Sequence, residues 1–207
     1  MTWDDLPETT AFDTFAAPEP EPAGVDETIE LFGTNLHVSC VISLGRFPRL
    51  TDLISSFDGF IRVRDAQVLG GDGTPTGETL PELMVNQDVL SFIAEPHAPL
   101  REPGTGATFD EFGAGGGLAD RRTRRFQLFT AGHALSGSVY LFGETSLLAF
   151  VESTHPHFIP MNDVTVSSLA DRGHESRYPF VLLNRSQMIA AAELDGGDQA
   201  ADGGLAP

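Results

Sequence analysis

The sequence predicts an α+β protein, mainly β, built from two tandem ββαβββ repeats between acidic tails. Each repeat would form a small barrel or a curled antiparallel sheet. Three observations carry this. Apolar residues fall at 36, 38, 40, 42 and 44 and again at 135, 137, 139 and 141, the period of two that marks a half-buried strand. Two stretches of about 65 residues match each other in apolar register with a single one-residue slip. The segments outside them are rich in Pro, Gly, Ala and acid, with little to bury.

The internal match starts with ELFGTNLHVSCVISL (30–44) over QLFTAGHALSGSVYL (127–141). It places Leu31 on Leu128, Phe32 on Phe129, Ser39 on Ser136 and Leu44 on Leu141. Leu50, Leu53 and Ile54 then fall on Leu147, Phe150 and Val151. After a slip of one residue, FIRVRDAQV (60–68) lies over FIPMNDVTV (158–166), with Asp65 on Asp163. PELMVNQDVLSFIAE (81–95) lies over PFVLLNRSQMIAAAE (179–193), with Asn86 on Asn184 and Glu95 on Glu193. Self-similarity on this scale is the mark of a duplicated unit.

Each unit then reads in order. Segments 28–34 and 125–131 are hairpin partners for the alternating strands that follow. LTDLISSF and SLLAFVES place apolar side chains at i, i+3 and i+4, giving one short amphipathic helix per copy. A strand begins at Phe60 and at Phe158 and runs to Val68 and Val166. A polar loop follows, then a strand, a turn at Asn86 or Asn184, and a last apolar segment. Units of about 65 residues bury only about 60% of their unfolded surface. The copies are therefore expected to pack together about a pseudo-two-fold axis. The alternative is two separate beads on a linker. The expected boundaries are a tail at 1–27, repeat 1 at 28–95, a Pro/Gly-rich linker at 96–123, repeat 2 at 124–193 and a second tail at 194–207.

Composition sets the outer limits. The chain has 207 residues, 41% of them hydrophobic, enough for a core. Lys+Arg total 12 against 30 Asp+Glu, a formal charge of −18, and every cation is Arg. That balance opposes non-specific binding to nucleic acid and to anionic membranes. A lone Cys allows no internal disulfide. With no apolar run of about 20 residues and no basic-then-apolar leader, the expectation is a soluble, cytoplasmic protein.

Copy 2, with Leu135-x-Gly137-x-Val139-x-Leu141, Phe158-Ile159-x-Met161-x-Asp163 and Leu183-Asn184-x-x-x-Met188-Ile189, resembles an uncharacterised bacterial family of small β-barrel domains. In that family a strand, a short helix and an F-I-x-x-x-D strand recur. The same residues are faintly similar to the Sm-like barrel. The likeness implies a shape and transfers no site residues. Cys40 stands in copy 1 where copy 2 has Gly137, and the helix is extra for an Sm-like barrel.

Several groups are candidates for function. His155, Pro156 and His157, with His133 and His174, could supply imidazoles to a metal. They have no counterpart in copy 1, so solvated turn histidines are the expected reading, and no metal or other cofactor is assigned. Cys40 reads as a small core residue. Asp65 and Asp163, brought together in an inter-repeat groove, could do acid–base work; otherwise each accepts backbone N–H groups at a strand end. Asn86 and Asn184 suit left-handed turn positions on the same groove. Arg121, Arg122, Arg124 and Arg125 form the only basic run and could dock an acidic surface or the chain's own tail. Trp3, Leu6, Phe12 and Phe15 sit among acids, the composition of a segment that folds onto a protein partner.

The leading expectation is a non-enzymatic interaction or adaptor protein, monomeric with internal pseudo-symmetry or homodimeric, that docks a protein partner through these tail residues and the Arg run. It would engage neither nucleic acid nor membrane. The alternative is a small-ligand or metal-binding regulatory module using the groove between the repeats. A third reading is an enzyme with Asp65 and Asp163 at that groove.

Overall fold

The computed structural model describes residues 24–57, 59–97, 121–142, 146–152, 157–170 and 175–194. It is mainly β. Ten antiparallel strands and two short helices run β1 (Asp26–Gly33), β2 (His37–Ser43), α1 (Leu50–Ser55), β3 (Phe60–Val68), β4 (Leu80–Asn86), β5 (Leu90–Glu95), β6 (Arg121–Phe129), β7 (His133–Phe142), α2 (Leu147–Glu152), β8 (Phe158–Ser168), β9 (Glu175–Asn184) and β10 (Ala190–Leu194). Among the described residues all ten strands belong to one sheet, ordered β10-β6-β7-β8-β9-β5-β1-β2-β3-β4. The expectation of small barrels is corrected: among the described residues β4 pairs only with β3 and β10 only with β6, so the ten strands do not close on one another. Nor is each block a separate sheet. β5 pairs with β9 through Phe92↔Leu183, Ile93↔Leu182, Ala94↔Val181 and Glu95↔Phe180, and this seam makes the ladder continuous.

The first five strands lie in the order β5-β1-β2-β3-β4, the last five in the order β10-β6-β7-β8-β9. Their registers correspond. Leu31↔Val38 has its counterpart in Leu128↔Leu135, Phe60↔Asn86 in Phe158↔Asn184, and Phe92↔Phe32 in Ala190↔Phe129. Hydrophobic alternation sets these registers, because a one-residue slip would turn every buried side chain outward.

Two cores form, on opposite faces of the sheet. Directly opposed residues share a face, so the seam shows the division. Leu31, Ile93 and Leu182 belong to the first core, with Val38, Cys40, Val63 and the α1 residues Leu50, Leu53 and Ile54. Phe32, Phe92 and Leu183 belong to the second, with Phe126, Leu135, Met161 and Val164. All six residues of β5 are buried, because both cores cover it. α2 lays Phe150 on Phe126, with ring centroids 5.4 Å apart.

Prolines stop the ladder at two places. Pro160 lies in β8 beyond the last β7–β8 pair, Ser138↔Asn162. Pro179 lies in β9 just past the last seam pair, Glu95↔Phe180.

Sequence and structure differ at three further points. The Arg run begins strand β6 at Arg121, inside the stretch expected to be linker. Every residue of the run pairs to β7, from Arg121↔Phe142 to Arg125↔Ser138, while the side chains of Arg122 and Arg125 stay exposed. The turn asparagines are not left-handed. Asn86 has φ −72° and ψ 122°, Asn184 φ −72° and ψ 114°. Each caps a 3-10 turn instead, its Oδ1 accepting from Asp88 N at 3.0 Å or Ser186 N at 2.9 Å. The left-handed residues are Asp65 (φ 50°) and Asp163 (φ 51°), each at the bulge where the ladder to the preceding strand shifts register.

Candidate functional site

A cluster of aromatic and polar side chains beside a cleft lies on the second-core side of the first hairpin. Turn Gly33–Leu36 brings β1 and β2 back together, closed by Gly33 N donating to Leu36 O at 2.7 Å. Strand pairing sets Phe32 opposite His37 and Glu30 opposite Ser39. His37 stacks on Phe32 (centroids 4.1 Å, planes 23° apart), and Phe32 stacks in turn on Phe92 (4.2 Å, 17°). The result is a column of three near-parallel rings. His133, at the start of β7, meets Phe32 and Phe92 edge-on at 5.6 and 5.2 Å. Tyr178 of β9 closes the side, edge-on to Phe32 at 6.0 Å.

A short polar chain joins the two halves of the molecule here. Tyr178 Oη donates to Glu30 Oε2 at 2.8 Å, and His37 Nε2 lies 2.9 Å from the same oxygen. Burial alone would raise the Glu30 carboxyl. The bonds from His37 and Tyr178 and the charge of His37 outweigh it and hold Glu30 below the usual carboxylate range. Burial, then the bond to Glu30 and its charge, push the Tyr178 phenol well up, so it stays a donor. Burial, then the charge of His37, pull His133 down, which favours the neutral ring. Its Nδ1 is buried with no hydrogen-bond partner.

Phe32, His37, His133 and Tyr178 border a cleft of about 320 Å³. Its lining also includes Thr34, Asn35 and Gly70, Gly71 and Gly73 from the first half and Val166, Ser168 and Ser176 from the second. The volume lies at the low end for small-molecule sites. The rings of Phe32, His37, His133 and Tyr178, together with the hydroxyls of Thr34, Ser168 and Ser176, suit a flat ligand that can exchange hydrogen bonds.

The residues singled out from sequence lie mostly elsewhere. Asp65 and Asp163 are both exposed. Their strands, β3 and β8, are separated in the sheet by β9, β5, β1 and β2. Asn184 does lie where the halves meet: it is buried, and its Nδ2 donates to Gln87 O at 3.1 Å. Beside it Gln187 Nε2 donates to Asp88 O at 2.6 Å. Asn86 is the matching cap at the other end of the sheet. Arg124 pairs with Glu193 of β10 at 3.4 Å, while Arg122 and Arg125 are exposed. Trp3, Leu6, Phe12, Phe15, His155 and His174 lie outside the described residues, as does the side chain of Arg121. His157 is exposed at the start of β8. Among the described residues no three His, Cys, Asp or Glu side chains group to hold a metal ion, and no helix is long and apolar enough to cross a membrane.

Sequence reasoning missed Glu30, His37 and Tyr178. Glu30 and His37 do carry a local signal, since they flank a four-residue turn on one hairpin. Tyr178 stands far along the chain, and only the β5–β9 seam brings it near.

Comparison with protein families, with curated proteins and with solved structures finds no match to this chain.

Proposed function

We propose that the protein is a small-ligand-binding module whose ligand occupies the cleft beside His37, His133 and Tyr178. The observation that carries this is a cleft lined by Phe32, His37, His133 and Tyr178, with the unpartnered Nδ1 of His133 buried in the same ring. A buried polar atom without a partner is uncommon and calls for a ligand or an ordered water. The ligand class is a flat, nitrogen-bearing ring, neutral or cationic. The carboxylate of Glu30 and a chain charge of −18 both disfavour an anion.

We further infer that the two halves arose by duplication, on the corresponding strand order and register and the paired Asp65/Asp163 and Asn86/Asn184. The strand order asks for a rotation combined with a shift along the sheet rather than a simple two-fold axis. Docking of a protein partner through Trp3, Leu6, Phe12 and Phe15 rests on the sequence alone.

The test is a thermal-shift and NMR titration with imidazole, benzamidine and adenine as probes. At least one should raise the melting temperature saturably and shift the His133 ring resonances. The effect should vanish in His133→Phe. No response to any probe, or an unchanged response in His133→Phe, overturns the ligand-module proposal.

A further inference from the structure

The two free edges of the sheet are counterparts of the two strands already joined at its centre. At the seam, β9 presents its edge to β5. In the corresponding order, β4 stands where β9 stands and β10 where β5 stands, yet β4 and β10 are the outermost strands. Lateral order is the same in both halves, while antiparallel pairing at the seam reverses the direction of every strand in one of them. Reversal with order preserved also inverts the faces, which is why the two cores lie on opposite sides. An operation of this kind does not close on itself; it propagates.

We propose that copies of this chain join end to end, β10 of one on β4 of the next, in the register of the internal seam. This rests on the duplication inferred above and is independent of the cleft. Transferring the seam register pairs Val85 with Ala190, Met84 with Ala191, Leu83 with Ala192 and Glu82 with Glu193. Three features of the free edge fit a second copy. Asn86 keeps the side-chain amide that, in Asn184, crosses the seam to Gln87 O; among the described residues nothing takes Asn86 Nδ2. Pro81 matches Pro179, so both ladders would stop at the same point. Met84 is 52% exposed on an edge strand and Ile189, just before β10, is 71% exposed.

Two features keep the contact weak. The seam has Phe92 and Ile93 where β10 offers Ala190 and Ala191, so less apolar area is buried. The seam also has Phe180 opposite Glu95, whereas the free edges set Glu82 against Glu193. Like charges directly opposed across a ladder repel. Each carboxylate has an Arg beside it, Arg62 at 2.7 Å and Arg124 at 3.4 Å, but these pairs are part-exposed and offset little of that repulsion.

The experiment is sedimentation velocity of the full chain across two decades of concentration. Glu82→Arg faces an Arg to Glu193 of the next copy and should strengthen association by about tenfold or more. Adding Glu193→Arg restores like charges and should return association to the wild-type level. Asn86→Ala in the Glu82→Arg background should weaken it again. Both Glu side chains are exposed enough for these variants to fold. Equal association of wild type and Glu82→Arg, or strong association of the double variant, overturns the proposal. Hydrogen exchange adds an independent readout, since amides of β4 and β10 should gain protection on assembly. Protection of β4 already present in the dilute monomer and lost on deleting residues 1–23 would place the chain's own tail on that edge and overturn it too.

Discussion

Tyr178 of the cleft wall donates to Glu30 across 148 positions of chain. It ties β9 to β1, so the cleft exists only while the seam between the halves holds. Tyr178→Phe keeps the ring contacts and removes this bond. The expected cost is about 1.5–3 kcal/mol, the range for a hydrogen bond to a charged acceptor, read as a lower urea midpoint at neutral pH.

The same bond sets an acid dependence. The folded pKa of Glu30 lies below its unfolded value of about 4.3. The unfolded chain therefore binds the proton first. The stabilisation is complete above the unfolded pKa and is lost as pH falls through the folded one. Stability of the wild type should drop more steeply on acidification below about pH 5 than that of Glu30→Gln. Equal slopes would remove Glu30 from the account of acid unfolding.

His133 carries a dependence of the same sign in a higher window. Burial first, then the charge of His37, lowers its folded pKa. The neutral ring contributes stability above the unfolded value of about 6.5, and that stability is lost as pH falls through the folded pKa. His133→Phe should flatten the stability curve between about pH 7 and pH 5. A ligand that binds only the neutral ring would steepen it in the wild type.

Much of the fold was legible because burial imposes periodicity. Both helices, the bulged strands and the hairpins follow from alternation at 36–44 and 135–141 and from i, i+3, i+4 spacing at Leu50, Leu53 and Ile54. Boundaries slipped where polarity misled. Arg121–Arg125 reads as a solvated run, yet its backbone joins the β7 ladder while the Arg122 and Arg125 side chains stay in solvent, so a strand start tolerates them. The continuous sheet was not legible. β5 and β9 are apolar on both faces, a pattern that marks a doubly covered strand without naming its neighbour. The candidate site suffered for the same reason, since Tyr178 reaches Glu30 only through that neighbour.

The difference between Cys40 and Gly137 is steric. A Cβ at Gly137 would lie 2.9 Å from Val164 Cγ2 and 3.0 Å from Asn162 O. At the matching position the first half has Ala66 in place of Val164 and accommodates the Cys40 side chain in its core. Gly137→Ala should cost about 1–3 kcal/mol, the range for overpacking. Gly137→Ala with Val164→Ala should recover part of it, as a double-mutant cycle would show. Cys40 should resist alkylation in the native state at pH 8, since burial and the charge of Glu30 push its thiol up to about 12.

Asp65 and Asp163 separate a backbone role from a chemical one. Each has φ near 50° at a bulge, a conformation that Asp, Asn and Gly adopt readily and β-branched residues do not. If the backbone explains them, Asp163→Asn and Asp163→Gly should stay within about 0.5 kcal/mol of wild type. Asp163→Val should lose about 1–2 kcal/mol, the cost of a left-handed position for a branched side chain. The same order should hold at Asp65. Asn at both positions removes both carboxylates while keeping the bulges, so probe binding at the cleft should be unchanged in Asp65→Asn/Asp163→Asn. Loss of binding in that double variant, with stability intact, would return these carboxylates to the functional site.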